Sequence, residues 1–183
     1  MAFLARIVVV SLSVALLAAT AACGNKIGDS CTLSTDCATE GGRICDTSSP
    51  DGYCTIPNCD VGTCPSESTC VQFYSVINVD KHCTQATDCT IDQVCTVGGF
   101  CAARDSELRF CMLNCGSQGD CRDGYECRDL SRMGAHGGQP VRAEGQSDED
   151  LHPFCAAALP CSSDTQCDLG DHCDLGNLRC VKR

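Results

Sequence analysis

The longest apolar run of the chain lies at its start. Arg6 precedes IVVVSLSVALL (Ile7 to Leu17), and the small residues AATAA lead from there to Cys23. Charged, apolar and small-residue regions in that order mark a secretory signal over 1–22, and the run is too short to span a bilayer comfortably. Further along, apolar residues are sparse and frequently interrupted. Val71 to Val79 (VQFYSVINV) alternates, with Val71, Phe73, Ile77 and Val79 on one phase and Tyr74 and Val76 on the other. This predicts a strand that serves either as core or as an exposed binding edge. DSELRFCML, from Asp105 to Leu113, predicts a short helix that Asp105 or Ser106 caps. No long amphipathic helix is visible.

What replaces the missing apolar periodicity is a cysteine periodicity. The chain holds 21 cysteines in 183 residues. Five residues separate Cys31 from Cys37, Cys83 from Cys89, Cys89 from Cys95, Cys95 from Cys101, Cys115 from Cys121, Cys121 from Cys127, Cys161 from Cys167 and Cys167 from Cys173. Aligned on these positions, Cys31 to Cys54 (with Cys45), Cys83 to Cys101, Cys115 to Cys127 and Cys161 to Cys180 are copies of one unit of approximate form C-x5-C-x5-C-x6-C. Cys59, Cys64 and Cys70 form a degenerate copy. If Cys83 closes that copy, the twenty cysteines after Cys23 fall into five consecutive fours, but sequence similarity places Cys83 at the head of the next unit. Cys111 and Cys155 remain to be assigned.

Cysteines six apart lie about 20 Å apart on a strand, beyond the roughly 7 Å Cα limit for a bridge. Neighbours can pair only where the chain turns, and turn residues stand between them: Pro50, Asp51 and Gly52; Gly98 and Gly99; Asp123 and Gly124; Gly170 and Asp171; Gly176 and Asn177. The fold expected is small and disulfide-rich, of tandem four-cysteine modules with short hairpins and loops and little regular secondary structure. Its organisation is a signal peptide (1–22), a lipid-anchored linker (23–30), repeats over 31–82 and 83–130, a flexible Gly- and acid-rich loop (131–154) and a C-terminal repeat (155–183). That loop, with acids at Asp148, Glu149 and Asp150, is also where a binding site is most easily placed. Pairing within each group of four stays open among three alternatives.

Composition explains why cross-links are needed. Tryptophan is absent and aromatic residues make up 4% of the chain, so hydrophobic burial is scant and disulfides must stabilise the fold, which requires an oxidising compartment. The formal charge is −11, or −12 once Arg6 is lost with the leader. Such a surface repels nucleic acid, and the partners expected are a membrane, through a lipid anchor, and a protein or surface ligand.

Reactive chemistry finds little footing. Zinc sites usually place two cysteines two to four residues apart, twice over; no CxxC occurs, and the closest pair, Cys111 and Cys115, has no counterpart. His82, His136, His152 and His172 are scattered. There is no G-x-S-x-G elbow, HExxH helix or phosphate-cradling loop. Asp36, Asp88 and Asp120 each stand just before the second cysteine of a unit, where an aspartate accepts backbone N–H bonds in a turn. Asp168, Asp171 and Asp174 gather in the last unit, but the EF-hand pattern is missing. No catalytic residue, metal ligand or cofactor is expected, and the chain reads as a non-enzyme.

The small residues Ala21 and Ala22 before Cys23 resemble the lipobox of bacterial lipoproteins, in which the cysteine sulfur is diacylated. Thr20 stands where an aliphatic residue is usual. Lipidation at Cys23 leaves an even set of twenty for disulfides: Cys31, Cys37, Cys45, Cys54, Cys59, Cys64, Cys70, Cys83, Cys89, Cys95, Cys101, Cys111, Cys115, Cys121, Cys127, Cys155, Cys161, Cys167, Cys173 and Cys180. Gly24 at the second mature position implies, by that resemblance, the outer membrane or cell surface; without lipidation the product is secreted. The repeat pattern, with aspartate before the second cysteine, resembles the cysteine-rich repeats of exported lipoproteins of myxobacteria and the Dickkopf N-terminal cysteine-rich module. This implies an extracytoplasmic interaction or structural module. The competing functions are a disulfide-framed protease inhibitor and a calcium-dependent binder.

Overall fold

The computed structural model describes residues 24–38, 42–147 and 150–182. The expected signal peptide, Cys23 and two of the three loop acids, Asp148 and Glu149, lie outside the described residues. All twenty remaining cysteines are paired, and every module follows one rule: first to third, second to fourth. The bridges are Cys31–Cys45 and Cys37–Cys54 in module 1, Cys59–Cys70 and Cys64–Cys111 in module 2, and Cys83–Cys95 and Cys89–Cys101 in module 3. Module 4 has Cys115–Cys127 and Cys121–Cys155; module 5 has Cys161–Cys173 and Cys167–Cys180.

Short strands place these partners. Module 1 is a hairpin of β1 (Ile44–Asp46) and β2 (Tyr53–Thr55), in which Cys45 lies directly opposite Cys54. The same opposition of third and fourth cysteine recurs four times. Cys70 faces Cys111 across β3 (Ser68–Tyr74) and β7 (Glu107–Leu113), and Cys95 faces Cys101 across β5 (Gln93–Cys95) and β6 (Phe100–Ala103). Cys127 faces Cys155 across β8 (Tyr125–Arg128) and β10 (Phe154–Ala157), and Cys173 faces Cys180 across β11 (Asp171–Asp174) and β12 (Arg179–Lys182). Directly opposed residues project from the same face of a sheet, so both sulfurs of a pair meet the loop that carries the first two cysteines. Three sulfurs of each module lie within 4.8 Å of one another.

That loop is tied by the residue just before the second cysteine, which accepts from the backbone N–H just after the first. Asp36 Oδ2 accepts from Thr32 N at 2.8 Å, Asp88 Oδ2 from Thr84 N at 2.8 Å and Asp120 Oδ2 from Gly116 N at 2.8 Å. Where the sequence departs, other acceptors take over: Thr63 Oγ1 holds Asp60 N at 2.8 Å, and Gln166 Oε1 holds Ser162 N at 2.5 Å. The backbone hydrogen bonds pull the carboxyls of Asp36, Asp88 and Asp120 below the usual range.

Several expectations are corrected. Cys83 heads module 3, where sequence similarity places it, and the open question of what closes module 2 is answered by Cys111, so the whole of module 3 is inserted between the third and fourth cysteines of module 2 and a division of the chain at 82/83 cuts across it. The segment 105–113 is not a helix: a 3-10 turn at Arg104–Ser106 leads into β7, because Cys111 must stand opposite Cys70 in the ladder. The single strand expected over 71–79 is two strands in different sheets, β3 and β4 (Ile77–His82), since the chain leaves one module for the other at Ser75 and Val76. Much of the expected flexible loop at 131–154 is built: α1 (Leu130–His136), capped by Asp129 accepting from Arg132 N at 3.0 Å, precedes β9 (Gln139–Pro140). The resulting sheets are β7-β3-β9 and β4-β6-β5, beside the two-stranded hairpins of modules 1, 4 and 5.

Modules 1, 2 and 4 share one core built on Ile27, Tyr53, Val71, Met112, Tyr125, Met133 and Phe154. The rings of Tyr53 and Tyr125 stack at 5.3 Å, and the Arg122 guanidinium lies 4.1 Å over the Tyr125 ring while donating to Gly28 O and Pro50 O of module 1. Module 5 keeps a small cluster of its own. Its hairpin also contains an exception: Gly52 and Gly99, two residues before the fourth cysteine, have φ of 66° and 74°, whereas the same slot in module 5 holds Leu178 at 52°. At Gly52 a Cβ would approach Cys31 O to 2.0 Å; Leu178 is exposed, so only backbone strain opposes its side chain.

Four measurements check this architecture. Disulfide mapping is expected to recover Cys64–Cys111; a Cys64–Cys83 link would contradict the nesting. Replacing that pair, 47 residues apart, by alanines is expected to cost about 4 kcal/mol, against roughly 3 kcal/mol for Cys83–Cys95 at a separation of 12. Leu178→Gly is expected to raise the melting temperature, because relief of about 1–2 kcal/mol of left-handed strain exceeds the roughly 0.5–1 kcal/mol of added chain entropy; a fall in Tm would refute the strain. Because the hook carboxyls titrate lower when folded, their contribution is present above the unfolded value of about 3.9 and is lost as pH falls through the folded one. Amide shifts of Thr32, Thr84 and Gly116 are therefore expected to titrate below about pH 4, while that of Ser162, held by the side-chain amide of Gln166, stays constant.

Candidate functional site

The ionisable residues are largely consumed by the fold. Glu126 on β8, its side chain 3% exposed, accepts at Oε1 from Arg128 Nε (2.7 Å) and at Oε2 from Arg132 (2.7 Å), and its Oε1 lies 2.7 Å from His136 Nδ1. Arg132 also donates to Asp171 Oδ2 at 2.7 Å, which locks α1 to module 5. The other ring nitrogen of His136 lies 3.0 Å from Asp168 Oδ2, outside hydrogen-bonding geometry. Arg128 further donates to the carbonyls of His136, Gly137 and Ala157. Burial lowers the pKa of Arg128 in spite of Glu126.

The three acids expected to gather in module 5 therefore diverge. Asp168 and Asp171 meet His136 and Arg132, and Asp174 accepts from Gly176 N and Asn177 within its own turn. Close sulfur groups offer no thiolate, because every member is in a disulfide. Among the remaining histidines, His82 packs on Phe100 at 4.6 Å, and neither His152 nor His172 joins a cluster of possible ligands among the described residues.

A cavity of about 340 Å³ opens instead where the inserted segments meet. Phe73 of β3, Ile77 and Val79 of β4, Val97 and Phe100 of the β5–β6 hairpin, and Met133 of α1 supply its apolar lining. Two glycine contacts set the wall spacing. A Cβ on Gly98 would lie 2.7 Å from Gly134 O, and one on Gly138 would lie 2.6 Å from the Phe73 ring. Gln139 Oε1 accepts from Val97 N at 3.2 Å, tying β9 to module 3 across the seam. Phe73 is itself braced edge-on by Phe154, with ring centroids 6.3 Å apart.

Several polar side chains of this wall are engaged within the protein. Tyr74 donates to Glu107 Oε2 at 3.3 Å, and burial with that carboxylate beside it pushes the phenol up to about 12. Thr96 donates its hydroxyl to Phe100 O at 3.0 Å. His136 is turned to Glu126 and Asp168. Two larger hollows, about 540 Å³ beside Ile91 and Arg104 and about 700 Å³ beside Cys31 and Asp51, are open dips of the surface.

Along the 71–79 alternation Val71 is buried core, whereas Ile77 and Val79 form an exposed lip. The segment expected to be a loop supplies Met133 and the glycine wall. Val97 and Phe100, between cysteines of module 3, carry no sequence signal beyond apolar character near a turn. Comparison with protein-family models, curated proteins and solved structures finds no match for this chain.

Proposed function

We propose that the chain is an exported, lipid-anchored, disulfide-stapled surface protein that acts as a non-catalytic binding module. Ten disulfides fit an oxidising extracytoplasmic compartment. The observation that carries the binding reading is the seam cavity, whose wall joins exposed apolar side chains to the hydroxyls of Tyr74 and Thr96, both hydrogen-bonded within the protein. A catalytic cleft needs an acid, base or nucleophile within reach of a substrate; here the ionisable groups near the wall hold one another. The divergence of Asp168, Asp171 and Asp174 weighs against calcium as the ligand.

Anchoring rests on AATAA-Cys23 and on the parity of the cysteines. Mass analysis of mature protein extracted from cells is expected to show a diacylated or triacylated N-terminal Cys23. A mature terminus at unmodified Cys23 or at Gly24 would remove the anchor and leave a secreted protein.

A further inference from the structure

We infer that the seam cavity is a binding site for a small neutral molecule with an extended hydrocarbon body. The inference rests on the binding reading above and gives it a ligand class. Its volume, about 340 Å³, lies in the range of about 300–1,000 Å³ typical of ligand pockets. It is preformed: β3–β9 pairing, the Gln139–Val97 hydrogen bond and the bridges Cys83–Cys95 and Cys89–Cys101 hold its walls. Little conformational entropy is then lost on binding. Met133 at the base is an adaptable apolar surface.

The lip argues that something covers it. Ile77 and Val79 are 42% and 66% exposed, on a strand that, among the described residues, pairs with β6 alone. Charge selects the ligand. Among the described residues no Asp, Glu, Lys or Arg lines the cavity, and His136 faces two carboxylates, so a charged head group would enter without a counter-ion at a desolvation cost. The formal charge of −11 further repels an anion. With the Tyr74 and Thr96 hydroxyls and Gln139 Oε1 engaged in internal hydrogen bonds, the wall offers chiefly apolar contact, from Phe73, Ile77, Val79, Val97, Phe100 and Met133. The competing occupant is an extended peptide laid along the free edge of β4.

The test uses the full chain carrying Cys23→Ser, exported without an acyl group, so that it does not depend on the anchor. N-phenyl-1-naphthylamine, a neutral apolar fluorophore, is expected to bind saturably at one site with enhanced emission. Dodecanol should displace it about tenfold better than dodecanoate, because only the latter buries a charge. Ile77→Asp and Val79→Asp, both at exposed side chains, should each weaken binding by about tenfold or more, while Leu169→Asp, exposed in module 5, leaves it unchanged. Dodecanol should shift the backbone amide resonances of Thr96–Phe100 and Met133–Gln139, a readout that needs no variant. Absence of saturable fluorophore binding, equal affinity in the lip variants, or equal competition by dodecanoate overturns the proposal. A peptide of alternating valine and lysine separates the two failures. If it alone binds, in a manner lost in Val79→Pro, the ligand class is wrong and the binding role stands; if nothing binds, the binding reading falls as well.

Discussion

Every module depends on one placement: the third and fourth cysteines stand directly opposite each other on two antiparallel strands. A cross-strand pair fixes register, because a slip of one residue would send one sulfur to the far face of the hairpin. Each opposed cysteine then bonds backward to the loop bearing the first two, so four sulfurs replace the interior that short strands cannot build from apolar side chains. The loop is not left to the disulfides alone. A side-chain acceptor before the second cysteine holds the backbone after the first, whether the residue is Asp36, Thr63, Asp88, Asp120 or Gln166. What the position requires is an oxygen at the right reach; charge is incidental.

This arrangement also explains where the chain tolerates growth. Between the third and fourth cysteines the connection need only return the second strand to register, and its length is otherwise free. Module 2 accommodates an entire further module there, and module 4 accommodates α1 and β9. Both insertions leave from neighbouring hairpins, pack against β3 and meet each other. The seam cavity is a product of that meeting, bounded by an edge strand from one insertion and a helix from the other.

The electrostatics divide along the same lines. Single carboxylates spend themselves on local turns, where they are exposed and independent. The buried set of Glu126, Arg128, Arg132, His136 and Asp171 joins residues far apart in the chain and secures module 5 to the rest. Breaking one partner of such a set leaves a buried charge uncompensated, so it specifies how the modules sit. With these groups engaged, an acidic protein presents a largely apolar wall at its seam, to which Asp, Glu, Lys and Arg contribute nothing among the described residues.

The sequence by itself determined whatever acts over a few residues. Cysteine spacing marked the modules and the oxidising compartment, Asp36, Asp88 and Asp120 were legible as turn acceptors, and Val71 to Tyr74 as a strand. Tertiary structure decided the assignment of Cys111, which lies 47 residues from Cys64 and next to a cysteine of another unit. It also overruled the local helical pattern of Glu107 to Leu113, because a ladder partner and a disulfide together outweigh a weak intrinsic preference. The cavity was out of reach for the same reason: Phe73, Val97 and Met133 meet only after two insertions have folded back on one sheet. Local pattern encodes turns and pairs, whereas closure of long loops depends on the summed packing and cross-links of distant segments, which no short window of sequence contains.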